Sequence, residues 1–174
     1  GNIPQRSAGP RQIAGAPVDP VPRCRLRRIL AMETRLLDRI TDIPAAAWDG
    51  LAGDHPFVVH AFLAALEETG CADAESGWRP RHLVLEEAGK IVGALPLYEK
   101  SHSYGEFVFD WAWADAYHRH GLAYYPKWVG AVPFSPVTGP RLLAETEEIK
   151  IRLLREAVGH AAQDSPDMES PTMR

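Results

Sequence analysis

The 174-residue chain has only two cysteines, Cys24 and Cys71. Two thiols cannot build a disulfide framework and do not resemble a metal-ligand set, so a reducing, cytosolic setting is expected. The chain contains no run of 18 apolar residues, so no membrane span is expected. An apolar signal-peptide core is also missing near the start. Positive charge is scarce in the body. Residues 1–31 hold six arginines and one acid, a balance of +5, so residues 32–174 carry −9 of the net −4. An acidic body lacks the clustered positive face that a broad DNA or RNA surface needs. The only closely spaced histidine pair is His118-x-His120. Residues two apart point to different faces of a helix, so no metal site is expected.

Composition then sets the class. Hydrophobic residues make up 45% and charged residues 24%, which suits one globular domain with a real core. Residues 1–31 carry five prolines and three glycines without periodicity and precede Met32, the first methionine. They are expected to be a disordered extension, either upstream translated sequence or an Arg-rich transit peptide. Residues 32–163 form the expected domain, and the polar stretch 164–174 is expected to be a disordered tail.

Within the domain, Thr34–Ile40 has strand character. Asp42 is placed to cap a helix that begins with Pro44 in its first turn. In VVHAFLAALEET, Val59, Phe62, Leu63 and Leu66 fall at helical spacing, leaving His60 and Glu67 on an expected solvated face. Gly70 stands where a glycine ends a helix. Cys71–Pro80 is expected to be a polar loop. RHLVLEE and KIVGALPLYEK flank Ala88-Gly89 and predict an antiparallel hairpin. Pro96 confines the second strand to an edge, a bulge or a point where the chain leaves the ladder. Glu106–Asp110 is expected to be extended, Trp111–His120 helical and Lys127–Phe134 a strand. Glu147–Ala162 is expected to be a helix capped by Thr146, with Ile151, Leu154, Val158 and Ala162 near one face. The order predicts an α/β (α+β) fold around a mostly antiparallel sheet with flanking helices.

Residues 101–141 stand apart. They hold 10 of the chain's 15 aromatic residues and three of its seven histidines. Such a run serves either as core, filling the space between sheet and helix, or as the wall of a groove that receives sugar or peptide rings.

HPFVVHAFLAALEETG, GWRPRHLVLEEAGKIVGALPLYEKSHSYGE, FVFDWAWADAY and YYPKWVGAVPFSPVTGPRLL together resemble the FemAB-like family of predicted N-acyltransferases. The resemblance runs from about Thr34 to Leu143. It implies a GNAT-like fold and transfer of an acyl or aminoacyl group to an amine acceptor, a small molecule, peptide or amino sugar of a cell-wall precursor. Acyl-CoA or an aminoacyl-tRNA would be the donor. Members of the family resemble two GNAT-like halves in tandem, and this chain matches the first, so a second half is an expected partner. The alternative is a non-catalytic, substrate-binding half or an inactive fragment of a two-domain acyltransferase.

GNAT enzymes hold the pyrophosphate of CoA on backbone N–H groups of a glycine-containing loop at a helix start. VPFSPVTGPRLL would stand in that place. Gly139 matches a glycine of the pattern, but Pro136 and Arg141 stand where other residues are expected, and proline removes a donor. Thr138 and Arg141 are alternatively suited to a carboxylate or phosphate. Acyl transfer to an amine also benefits from a carboxylate that holds the amine and takes its proton, which nominates Asp110 and Asp115. Against those roles, Asp110 is placed to cap a helix, and Asp115 to pair with Arg119 at i, i+4. His102 and Tyr104 are candidates for the cleft, with Trp111, Trp113 and the anion-binding Lys127.

Overall fold

The computed structural model describes residues 32–164 except Val108. The expected extension 1–31, and the expected tail apart from Asp164, lie outside the described residues. Among the described residues seven strands form: β1 Glu33–Leu37, β2 Trp78–Pro80, β3 His82–Glu87, β4 Lys90–Leu95, β5 Tyr98–Lys100, β6 Lys127–Val129 and β7 Leu143–Ala144. Four helices accompany them: α1 Ala45–Ala52, α2 His60–Glu68, α3 Trp111–Arg119 and α4 Glu147–Gln163. All strand pairs are antiparallel, in a sheet ordered β1-β3-β4-β7 and a smaller one ordered β2-β5-β6. This is the mixed α/β class with antiparallel sheets that the sequence predicts.

One long hairpin belongs to both sheets. Ala88 and Gly89 have φ of 48° and 75°, the left-handed pair of a tight hairpin turn. From there β3 and β4 pair in the larger sheet, with Leu83 opposite Leu95. The chains then bend together at Arg81 and Leu97, where the Arg81 N–H still donates to the Leu97 carbonyl at 2.9 Å. Beyond the bend, β2 and β5 pair in the smaller sheet, with Pro80 opposite Tyr98. Pro96 sits where the chain leaves the first ladder, since it has no N–H to give. Trp78, expected in a polar loop, is a buried residue of β2.

The larger sheet is covered on both faces. Val84 and Ala94 pack with Ile43, Trp48, Val58 and Leu63 beneath α1 and α2. Leu83, Leu85 and Leu95 pack with Leu153 and Ala157 of α4. Period-two alternation therefore divides one apolar run between two helical layers. Gly93 lets α4 approach: a Cβ there would stand 2.7 Å from Ile149 Cγ2 and 3.2 Å from Leu153 Cδ1.

Several expectations need correction. The first strand ends at Leu37 and a 3-10 turn follows at Ile40–Asp42. The side chain of Asp42 does not cap α1, whose N-cap is Pro44 with no side-chain bond. Asp49 of α1 instead accepts from the His60 N–H at 2.7 Å, at the start of α2. His60 and Glu67 are half-buried and hydrogen-bonded rather than on a free solvated face. Glu67 accepts from the Ile40 N–H at 2.9 Å and from His82 Nε2 at 2.8 Å, while His60 Nε2 bonds the Ile40 carbonyl at 3.0 Å. The strand at 127 has three residues, Lys127–Val129; farther on Phe134, at φ 58°, turns the chain and its N–H donates to the Gly105 carbonyl. Helix α4 buries the face opposite the expected one. Leu153 and Ala157 are buried, and Ile151, Leu154 and Val158 are exposed. Both faces are apolar in the sequence, and the room above Gly93 decides between them. Its cap is as expected, with Thr146 Oγ1 accepting from the Ile149 N–H at 3.4 Å.

Candidate functional site

The register of the smaller sheet places two lysines side by side. Tyr98 faces Val129, Glu99 faces Trp128, and Lys100 faces Lys127. Like charges directly opposite are destabilising, so the surroundings must supply anions. Glu106 and Asp110, in the stretch before α3, do so. Lys127 Nζ donates to Glu106 Oε2 at 2.8 Å and to Asp110 Oδ2 in a short contact. Tyr124 and Tyr125, three and two residues before Lys127, add their hydroxyls. Tyr124 donates to Asp110 Oδ2 at 2.8 Å and Tyr125 to Asp110 Oδ1 at 2.6 Å.

These bonds set the protonation states. Burial alone would raise the Asp110 carboxyl, but the bonds from Lys127, Tyr125 and Tyr124 outweigh it and hold the group at about 2. Burial opposes the charge on Lys127, and the bonds to Asp110 and Glu106 lift it above its ordinary value. Burial and then the bond to Asp110 push Tyr124 up to about 12, and Tyr125 moves the same way for the same reasons. Asp110 is therefore a fixed anion at neutral pH, with both oxygens occupied. It stands at the N-cap of α3 as its sequence position implies, but its side chain makes no capping bond.

Lys100 has no exposed surface. Its Nζ donates to the Tyr104 carbonyl at 2.9 Å and lies 3.9 Å from the Trp78 ring centroid. Burial lowers it to about 8; Glu106 opposes that shift and Lys127 adds to it. Sequence reading missed Lys100, Glu106, Tyr124 and Tyr125. The signal that finds them is the strand register, which only the fold supplies.

Above this ionic cluster the aromatic run is exposed. Trp111 and Trp113 are 60% and 66% exposed, and no residue of α3 is buried. Phe109 stacks on Trp111 with centroids 4.9 Å apart. Tyr104, Phe107 and Tyr117 are exposed as well. None of the run's aromatic side chains falls among the buried residues; Tyr124, Tyr125 and Trp128 are half-buried. The arrangement is a shelf of rings held by a buried polar anchor. Among the described residues, those rings are not a core.

The other candidates lie in distinct settings. His102 shapes the turn before the shelf: its Nδ1 accepts from the Tyr104 N–H at 3.2 Å and its ring meets Tyr104 edge-on. Asp115 pairs with Arg119 at 2.6 Å on the exposed side of α3. Thr138, Gly139 and Arg141 anchor elsewhere. His55 Nε2 bonds the Thr138 carbonyl at 2.9 Å, and its ring fills the space a Gly139 side chain would need. Arg141 turns back onto the carbonyls of Val137, Gly139 and Pro140, where burial lowers its pKa. The expected phosphate loop does not lead directly into a helix, because β7 intervenes before α4. Among the described residues no group of three or more His, Cys, Asp or Glu is placed to hold a metal, and no helix is long and apolar enough to cross a membrane.

The FemAB-like family model, described as peptidoglycan biosynthesis/recognition, matches residues 39–170. The chain is a member of the FemAB-like family. That span takes in the whole long hairpin, the ionic cluster, the shelf and α4 of this FemAB-like chain. No curated protein and no solved structure gives a significant match to it.

Proposed function

We propose that this chain is the acceptor-recognition domain of an N-acyltransferase that adds an acyl or aminoacyl group to the amine of a peptidoglycan precursor in the cytoplasm. The observation that carries the proposal is the shelf itself. Six exposed aromatic rings, Tyr104, Phe107, Phe109, Trp111, Trp113 and Tyr117, flank a cluster of Lys127, Asp110 and Glu106. Exposed rings cost solubility unless something covers them, and aromatic faces suit sugar and peptide groups. In this reading Asp110 organises the shelf and does not take the proton, since a carboxyl held at about 2 is a poor base at neutral pH. Pro136 and Pro140 have no N–H to give a CoA pyrophosphate, and the Arg141 guanidinium is turned onto the loop's own carbonyls, which favours an aminoacyl-tRNA or another activated donor.

Titration of the full chain with a soluble muropeptide, followed by tryptophan fluorescence, tests this. Saturable binding is expected, weakened at least about ten-fold in a Trp111→Ala, Trp113→Ala double variant. Absence of binding, or binding indifferent to both tryptophans, would end the proposal. A binding role without catalysis is the second reading, favoured by the hydrogen bonds to both Asp110 oxygens that hold its carboxyl ionised. Acyl transfer to an amine acceptor by the isolated chain would rule that reading out.

A further inference from the structure

Helix α4 is apolar on two sides, and the larger sheet uses only one of them. Ile149, Leu153 and Ala157 pack on the sheet. Away from it, Ile151, Leu154 and Val158 are 51%, 54% and 62% exposed. Their spacing of i, i+3 and i+7 makes a single stripe about 10 Å long on the helix surface. Among the described residues, these are the only exposed large apolar side chains outside the stretch 104–134. The layers are also unequal. Helices α1 and α2 share one face of the sheet, whereas α4 is the only helix described on the other. An apolar stripe on the outer side of that lone helix marks a contact surface.

The charges beside the stripe indicate what covers it. The first turn of α4 is acidic, with Glu147 and Glu148, and its middle is basic, with Lys150, Arg152 and Arg155. Lys150 is bonded to Glu147 at 2.6 Å and Arg152 to Glu156 at 2.7 Å. Arg155 is exposed and forms no ion pair among the described residues. Glu148 and Arg155 lie two turns apart on the same flank of the stripe. A two-fold axis crossing the helix between them sets each against the opposite charge of a second, antiparallel α4. The same axis sets Ile151 against Leu154 of the second copy and opposes the two helix dipoles. A parallel pair would set Arg155 against Arg155 and Glu148 against Glu148. The stripe therefore complements itself in one direction only, as a symmetric contact between identical chains requires.

We propose that this face of α4 is a homodimer contact, in which two copies of the chain join through antiparallel α4 helices. One helix pair buries less than the about 1,200–2,000 Å² of a standard stable interface, so the dimer is a weak one. Its dissociation constant is expected in the range of roughly 10–100 µM. The contact uses none of the exposed rings and is independent of the acceptor proposal.

Sedimentation velocity of the full chain, from about 5 to 500 µM, tests it. A concentration-dependent equilibrium between monomer and dimer is expected. Leu154→Glu is expected to weaken the dimer at least about ten-fold, and Arg155→Glu at least about five-fold. Glu148→Arg combined with Arg155→Glu exchanges the charges, and should bring the dimer back to within about three-fold of wild type. None of the three side chains is buried, so the melting temperature of each variant should stay within about 3 °C of wild type. A chain that stays monomeric over the whole range, or a dimer indifferent to Leu154→Glu, would overturn the contact. Failure of the exchanged pair to recover would overturn the antiparallel arrangement. A dimer kept in Leu154→Glu but lost in the Trp111→Ala, Trp113→Ala variant would place the contact at the shelf and overturn it equally.

Discussion

The two sheets are held together by different physics. The larger sheet is a three-layer sandwich in which Leu83, Leu85, Leu95 and Leu153 on one side, and Trp48, Val58, Leu63 and Val84 on the other, are sealed from water. Burying each such side chain contributes roughly 1.5–3 kcal/mol, and no partner geometry has to be met. The smaller sheet has three short strands. Beside a small apolar cluster of Ala72, Trp78 and Tyr98 it has a polar end: Lys100 buried under the Tyr104 turn, and half-buried Lys127 locked to Asp110 and Glu106. A salt bridge of this kind roughly balances its desolvation and contributes little net stability, but losing one partner is costly. The first region resists change by bulk, whereas the second depends on each partner being present. The shelf of rings rests on the second.

The largest effect should fall in the apolar half. Leu153→Ala is expected to cost about 3–4 kcal/mol by urea denaturation, while Leu154→Ala, one residue on and 54% exposed, should cost under about 0.5 kcal/mol. Equal costs would mean that α4 presents a different face to the sheet.

Asp110→Asn comes next, at about 2–3 kcal/mol near neutral pH, because it leaves Lys127 with Glu106 alone. This cost should depend on pH. The folded value of about 2 lies below the ordinary 3.8, so Asp110 contributes its stability fully above about pH 4 and loses it as the pH falls toward 2. The gap between wild type and Asp110→Asn should close over that window. Lys100 acts at the other end: with a folded value of about 8 against 10.5, its penalty fades as the pH rises through that interval. A variant gap that stays constant from pH 5 to pH 2 would show that the ionic cluster does not hold this half together.

The smallest effect on stability should come from the rings. Trp111→Ala and Trp113→Ala are each expected to shift the unfolding free energy by less than about 0.5 kcal/mol, since both side chains are exposed. A loss of 2 kcal/mol or more would identify them as core residues and dissolve the contrast between the halves.

Local signals made much of the first half legible. The Ala88-Gly89 turn, the break at Pro96, the Gly70 stop and the Thr146 cap each depend on a residue's own backbone preference, which neighbours seldom override. The face of α4 was not legible, because Ile151, Leu154 and Val158 are as apolar as Ile149, Leu153 and Ala157. Only the space above Gly93 distinguishes them. In the candidate site, Asp110 and Lys127 were nominated separately, and the bond between them joins them across 17 positions. Lys100 and the two tyrosine hydroxyls came to light only through the β5–β6 register, which the turns do not encode. The same limit applies to Glu67 and His60. Their helical positions suggest a wet face, and the 3-10 turn that covers them comes from a distant part of the chain.

The bent hairpin has a consequence for how the molecule opens. Residues 78–87 and 90–100 run as one strand pair through both sheets, so the sheets cannot separate as independent units. The amides of β3 and β4, with partners on both sides, are the ones expected to exchange with solvent deuterium only on global unfolding. β6 holds to the rest of its sheet by three paired residues at one edge. It can lift away together with α3 and the rings while the hairpin stays intact. Opening at this edge would move the exposed rings and leave the hairpin behind them closed.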